Sequence, residues 1–198
     1  NSLLLRELHH RVKNNLQTVA SLLSLQARHT ASREASDLLT LSAGRIAGMV
    51  AVHDLLSGSK LNVTTVLEIV EAIMDMVRVD VAAASRNIAL NVTGDTIEVG
   101  ADKAMVIGLI ANELIWNAIR HAFGNRDNGS IDIAIEQKGD RAAVTVRDDG
   151  LGLPVGFDPQ KDAGLGLDII RQLVTRDIAG NFNIWSDQGT IATVTFRP

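Results

Sequence analysis

Glu113 and Asn117 stand four residues apart in the run Asn112-Glu113-Leu114-Ile115-Trp116-Asn117-Ala118, inside a stretch whose periodicity predicts a helix over 102–122. That spacing puts a carboxylate and an amide one turn apart on one helix face. Such a pair can serve a hydrated magnesium ion and the phosphates it carries, or it can be an ordinary solvated face. Further on, Asp148-Asp149-Gly150-Leu151-Gly152 falls where a strand should end. A carboxylate there can accept a hydrogen bond from a base amino group, and the glycines let backbone approach a ligand closely. Gly164-Leu165-Gly166-Leu167 sits where the next helix should begin, so its free N–H groups and the positive helix end make a natural phosphate cradle. Gly189-Thr190, in the last predicted hairpin, is a weaker fourth member. Each element alone has a bland account as a turn or a cap. Together, in this order and each in its required setting, they point to a nucleotide site. The GxxxxGK[ST] phosphate loop does not occur, so the nucleotide would be held by another route.

Two kinds of element must position these groups. Residues 3–28 read as one long helix with a heptad seam at Leu5, Leu8, Val12, Asn15, Val19, Leu22 and Gln26. A second helix runs over 33–56 after a polar break at 29–32, so the two form a hairpin. Their apolar stripes are wider than one hairpin can cover, which predicts a four-helix bundle made by dimerisation; the alternative is a hairpin packed on its own globular domain. Ser57-Gly58-Ser59-Lys60 is the best boundary, dividing the chain into 1–60 and 61–198. Beyond it the pattern predicts helices over 64–82, 102–122 and from the glycine-rich stretch at 148–166 to about 179. Strands are predicted over 86–92, 130–136, 142–147, 181–185 and 190–196. The expected fold class is α+β: a helical hairpin followed by an α/β sandwich with helices on one face of a mixed, mainly antiparallel sheet, without βαβ alternation.

Composition narrows the function classes. Of 198 residues, 46% are hydrophobic and 21% charged, enough to bury a core. A formal net charge of -4 and an aromatic content of 3% without tyrosine argue against direct nucleic-acid binding and base stacking. Without cysteine, a thiol nucleophile, a thiolate metal site and a disulfide scaffold are excluded, which suits a cytoplasmic location. The run of about 18 apolar residues that predicts a membrane span is missing. A chain beginning at Asn1 is expected to be a fragment, with a sensor domain upstream.

Residues 101–198 resemble the ATPase module shared by gyrase, heat-shock chaperone, mismatch-repair and histidine-kinase proteins. The resemblance implies that Asn117 binds Mg2+, that Asp148 contacts the adenine of ATP, and that Gly150 and Gly152 shape the base pocket. It further implies that Gly164 and Gly166 receive phosphates, and that Leu165 and Thr190 also belong to the ATP site. Residues 153–163 would be a short lid, with Gly156 and Gly164 as hinges and Lys161 as its one strong phosphate-binding cation.

Glu7-Leu8-His9-His10-Arg11-Val12-Lys13-Asn14-Asn15-Leu16-Gln17 resembles, almost letter for letter, the acceptor box of one subfamily of bacterial sensor histidine kinases. That implies autophosphorylation of His10 by ATP and transfer to an aspartate on the receiver domain of a response regulator, in a homodimer formed through 1–60. If Leu5, Val12 and Val19 mark the seam, His10 falls on the water-facing side, while His9, closer to the seam, is the alternative acceptor. Imidazole is a competent nucleophile near neutral pH. Asn14 lies one turn on and could orient a water for phosphatase chemistry; Lys13 and Arg11 could meet phosphoryl oxygens. Many histidine kinases carry an acidic residue directly after the acceptor, and here that place is Arg11. The proton acceptor is therefore left between Glu7, on the same face, and Glu113 from the ATP module. A phosphotransfer scaffold, a serine kinase and a gyrase-like ATPase using Glu113 to activate water are the rival readings.

Overall fold

The computed structural model describes residues 2–58, 63–83, 86–124 and 126–198, with side chains for all of these except 2–10 and 58. Two long helices open the chain, α1 (Ser2–His29) and α2 (Arg33–Gly58). They run antiparallel: Ser32 accepts a hydrogen bond from the Ala35 amide at 3.2 Å as an N-cap, and the Ser36 hydroxyl donates to the Ala27 carbonyl at 2.8 Å. At the other end, Lys13 pairs with Asp54 at 2.6 Å. The inner face of α1 is carried by Leu16, Ala20, Leu23 and Ala27. Val12, Val19 and Leu22 of the expected seam remain 45%, 45% and 54% exposed, so this part of it is not used within the hairpin, while the side chains of Leu5 and Leu8 lie outside the described residues.

The second part comprises β1 (Val63–Thr65), α3 (Val66–Ala83), β2 (Asn87–Gly94), β3 (Glu98–Gly100), α4 (Ala101–His121), β4 (Asn128–Lys138), β5 (Arg141–Asp148), α5 (Leu165–Arg176), β6 (Asn181–Ser186) and β7 (Thr190–Phe196). Five strands form one sheet in the order β2-β4-β5-β7-β6, parallel between β2 and β4 and antiparallel elsewhere. Period-two alternation explains the layering. Ile131, Ile133 and Ile135 of β4, Val144 and Val146 of β5, and Val194 and Phe196 of β7 point to one side. There they join Ile69, Ile73 and Val77 of α3, Ile107 and Leu114 of α4, and Ile170 and Val174 of α5 in one core. α3 begins with a capping box: the Glu68 amide donates to the Thr65 hydroxyl at 3.1 Å, and the Thr65 amide donates to the Glu68 carboxylate at 2.9 Å.

The expected fold class and the hairpin match this architecture, with four differences. The β2–α4–β4 connection is a parallel crossover, so the expectation of no βαβ alternation fails there; β2 and β4 alternate as half-exposed strands do, and alternation does not encode direction. The paired β1 and β3 were not anticipated, since three residues are too few to show a period. Ser57 and Gly58 complete α2 instead of starting a linker, with the Ser57 hydroxyl bonded to the His53 carbonyl at 2.7 Å; Ser59 and Lys60 lie outside the described residues. Lastly, by length and composition α2 is the one described helix that could cross a membrane, which the absence of a continuous apolar run had not suggested. It instead packs against α1, α3 and α4 and carries Arg45 at its middle.

Candidate nucleotide site

Asp148, at the end of β5, is 4% exposed and holds two segments together. Its Oδ1 accepts hydrogen bonds from the Gly150 and Thr190 amides, each at 3.0 Å. The loop after β5 thus closes on the start of β7. The same loop lies on the end of α4, where the Leu151 amide donates to the Ala122 carbonyl at 2.7 Å. Only glycine fits at 150, because a Cβ there would stand 2.2 Å from that carbonyl oxygen.

The other half of the site forms where α5 meets α4. Gly164 precedes α5 in an extended conformation, and its helix start has no side-chain cap. Its first-turn N–H groups are therefore the kind that an anion can satisfy. A Cβ on Gly166 would lie 2.9 Å from Glu113 Oε2 and 3.4 Å from Asn117 Oδ1. The start of α5 thus rests directly on the acidic and amide groups of α4. Glu113, Asn117, Gly164, Leu165 and Gly166 are brought together; Asp148, Gly150, Gly152 and Thr190 form the adjoining cluster. Residues 153–163 carry no helix or strand. They are organised by a small turn in which the Asp158 amide donates to Asp162 at 2.8 Å, and Lys161 lies 3.5 Å from Asp158, 83% exposed.

Sequence reasoning missed two cations. Arg45 of α2 makes a two-pronged ion pair with Glu113: Nε to Oε1 at 2.6 Å and Nη2 to Oε2 at 2.9 Å. Glu113 is 2% exposed and the Arg45 side chain 14%. The hydrogen bonds to Glu113 hold Arg45 more firmly protonated than usual. A contact across 68 residues and two structural units has no signal in local spacing. Arg120, by contrast, was within reach of the helical spacing that singled out Glu113 and Asn117. It lies one turn after Asn117 with its guanidinium 5.9 Å from the Trp116 ring centroid. Burial lowers its pKa, an effect opposed by the charge of Glu113.

The acceptor candidates are far from this site. The backbone of α1 runs through Glu7, His9 and His10, whose side chains lie outside the described residues. Asn14 is exposed, its carbonyl accepting from the Thr18 hydroxyl at 2.8 Å. Since Lys13 faces Asp54, position 10 lies level with the end of α2, twelve residues from Arg45, or about 18 Å along the helix.

Residues 7–80 match a family model described as histidine kinase, and 102–198 match one described as histidine kinase-, DNA gyrase B-, and HSP90-like ATPase. The chain is 41% identical over 181 residues to sensor histidine kinase PdtaS of Mycobacterium tuberculosis, a span of 91% of this chain and 36% of that protein. It is 29% identical over 197 residues to blue-light-activated histidine kinase 2 of Erythrobacter litoralis, 96% of this chain and 56% of that one. It thus spans about a third to a half of the length of these curated relatives. In fold it is similar to the histidine kinase domain of the Erythrobacter litoralis EL346 blue-light activated histidine kinase, with a TM-score of 0.68 and 23% identity over 92% of this chain and 95% of that one.

Proposed function

The chain belongs to the histidine kinase family, and from that premise we propose that it is the ATP-dependent autokinase core of a two-component sensor, with His10 as its phosphoryl acceptor. The observation that carries the reading is the seating of Gly166 against Glu113 and Asn117, which sets an uncapped helix start over an acidic and amide face with no room for a side chain between them.

The geometry supports a role for each residue. Asp148 uses one carboxylate oxygen on backbone amides, and its other oxygen would accept from the amino group of adenine. The first-turn amides of α5 at Gly164, Leu165 and Gly166 would bind phosphate oxygens, and Arg120 adds positive charge on the same helix as Asn117. Asn117 would hold Mg2+ together with phosphate oxygens and water, the usual division of ligands for that ion. Bound magnesium would neutralise charge on the phosphates during transfer. The His10 imidazole nitrogen attacks the γ-phosphorus, the bond to the bridging oxygen breaks, and ADP leaves. The imidazole proton passes to a carboxylate, with Glu7 and Glu113 the candidates. In the arrangement seen here Glu113 is committed to Arg45, so it would serve only after the two separate.

The phosphoryl group would pass to an aspartate of a response regulator receiver domain. The exposed seam of α1 supports homodimerisation through 1–60. A cytoplasmic location and a sensor domain elsewhere in the full protein complete the proposal.

The test is labelling with γ-labelled ATP and Mg2+ in the wild type, His10→Ala and His9→Ala. Acid-labile, base-stable label that is lost only with His10→Ala is the expected result. Acid-stable label points to serine chemistry, and ATP turnover without phosphoprotein to the gyrase-like reading.

A further inference from the structure

α2 and α4 pack antiparallel through unusually small residues. A Cβ on Gly44 would lie 3.9 Å from Trp116 Nε1, one on Gly48 3.1 Å from the Asn112 side chain, and one on Gly108 2.3 Å from Val52 Cγ2. The three glycines let the two helices approach closely along two turns, and at their middle sits the Arg45–Glu113 pair. Pairing 44 with 116 and 52 with 108 fixes the direction. The end of α4 that carries Asn117 and Arg120 points to the α1–α2 turn, where the charge of Asp37 acts on Arg120. The acceptor end of the hairpin lies the other way. Docked like this, the Asn117 end of the nucleotide site lies toward the end of the hairpin opposite residue 10, and Glu113 is withheld from proton chemistry.

The same interface carries two buried polar atoms without partners, Asn112 Oδ1 and Trp116 Nε1. Unpaired buried groups of this kind favour separation, because water would satisfy both. One strong ion pair opposed by two orphaned polar groups describes a contact built to open.

We propose that Arg45 and Glu113 form a latch that holds the ATP module docked on α2 in a resting state, and that opening it precedes phosphorylation of His10. The role rests on the kinase reading above; the contact itself does not. Arg45 contacts Glu113 across the interface and acts by positioning the module. Removing it leaves Glu113 as a buried charge without its partner, a cost that undocking relieves by returning the carboxylate to water.

The chain has two tryptophans, so a Trp185→Phe background leaves Trp116, whose indole nitrogen is buried against α2, as the sole reporter. In that background Arg45→Ala is expected to raise acrylamide quenching of Trp116 severalfold, shift its emission to the red, and raise the initial rate of His10 labelling severalfold. Arg45→Lys should lie between the two. Gly48→Leu, which pries at Asn112 and leaves Arg45 intact, should reproduce both changes and decides the matter if Arg45→Ala fails to fold. Trp116 remaining shielded in the folded variants overturns the latch, as does exposure accompanied by slower labelling, which would make the docked state the productive one. No label in the wild type or any variant overturns the kinase reading and the resting role with it, while the quenching still shows whether Arg45 holds the contact.

Discussion

Asp148 Oδ1 accepts the Thr190 amide at 3.0 Å across 42 residues of chain, and it accepts the Gly150 amide at the same distance. One oxygen of this buried carboxylate is structural, which leaves the second for a ligand. The two jobs can be separated by substitution.

Asp148→Asn can keep an acceptor oxygen toward Gly150 and Thr190 while placing an NH2 donor where a base amino group would arrive. ATP affinity should fall by about 10- to 100-fold, the cost of an unmatched buried polar pair. The thermal midpoint should change little. Asp148→Ala removes both functions and should also destabilise the fold by about 1–3 kcal/mol. Calorimetric titration with a non-hydrolysable ATP analogue, beside thermal melts, checks the pair. Equal melting losses in both variants would deny the division of labour.

Gly166→Ala addresses the phosphate end. Its Cβ would stand 2.9 Å from Glu113 Oε2, so the start of α5 must lift from α4 or Glu113 must move. Either shift disturbs the amides that would meet phosphate, while the pocket beside Asp148 is untouched. ATP and ADP affinities should fall by about tenfold or more, as expected for losing charge-assisted hydrogen bonds, and adenosine affinity should stay the same. Titrations with the three ligands distinguish this from a general distortion, which would weaken all of them.

Much of this molecule is legible from residue order alone because its elements are periodic and its site elements are contiguous. Ile131, Ile133 and Ile135 mark β4 by alternation, and Glu113 and Asn117 mark their face of α4 by a four-residue step. The direction of β2 against β4 is not legible, because alternation is the same in parallel and antiparallel pairs. Nor is the Arg45–Glu113 pair, whose partners acquire meaning only once α2 lies on α4. The alternative set against dimerisation, a hairpin packed on its own globular domain, is realised on the α2 side. The α1 side is left uncovered, which keeps both readings compatible.

That uncovered side gives a prediction on assembly. Val12, Val19 and Leu22 fall on the heptad seam, and all are about half exposed in the single chain. Leu22→Asp places a charge in the middle of the expected dimer interface, where desolvating an unpaired carboxylate outweighs anything the remaining seam supplies. Light scattering after size exclusion should show dimers of the wild-type chain and monomers of Leu22→Asp. Leu22 is half exposed on α1, whereas the ATP module packs on α2, so nucleotide affinity should be equal in the two. A dimeric Leu22→Asp protein would place the interface elsewhere.

His121, at the end of α4, supplies a pH dependence. Burial lowers its pKa below 6.5, and the neighbouring charge of Arg120 lowers it further. The folded protein therefore resists a proton that the unfolded chain accepts. Above the unfolded value both states are neutral and His121 contributes nothing to the difference. As the pH falls through about 6.5 the unfolded state gains the proton first, so stability declines until the folded value is passed. His121 keeps contact with solvent, so the effect is small, but its sign is fixed. In His121→Gln this contribution is absent, and the loss of thermal midpoint between about pH 7.5 and about pH 5.5 should be smaller than in the wild type. Melts of both proteins across that range measure the difference. A steeper decline in the variant would mean that His121 is stabilised in its charged form, against the surroundings that Arg120 and burial give it.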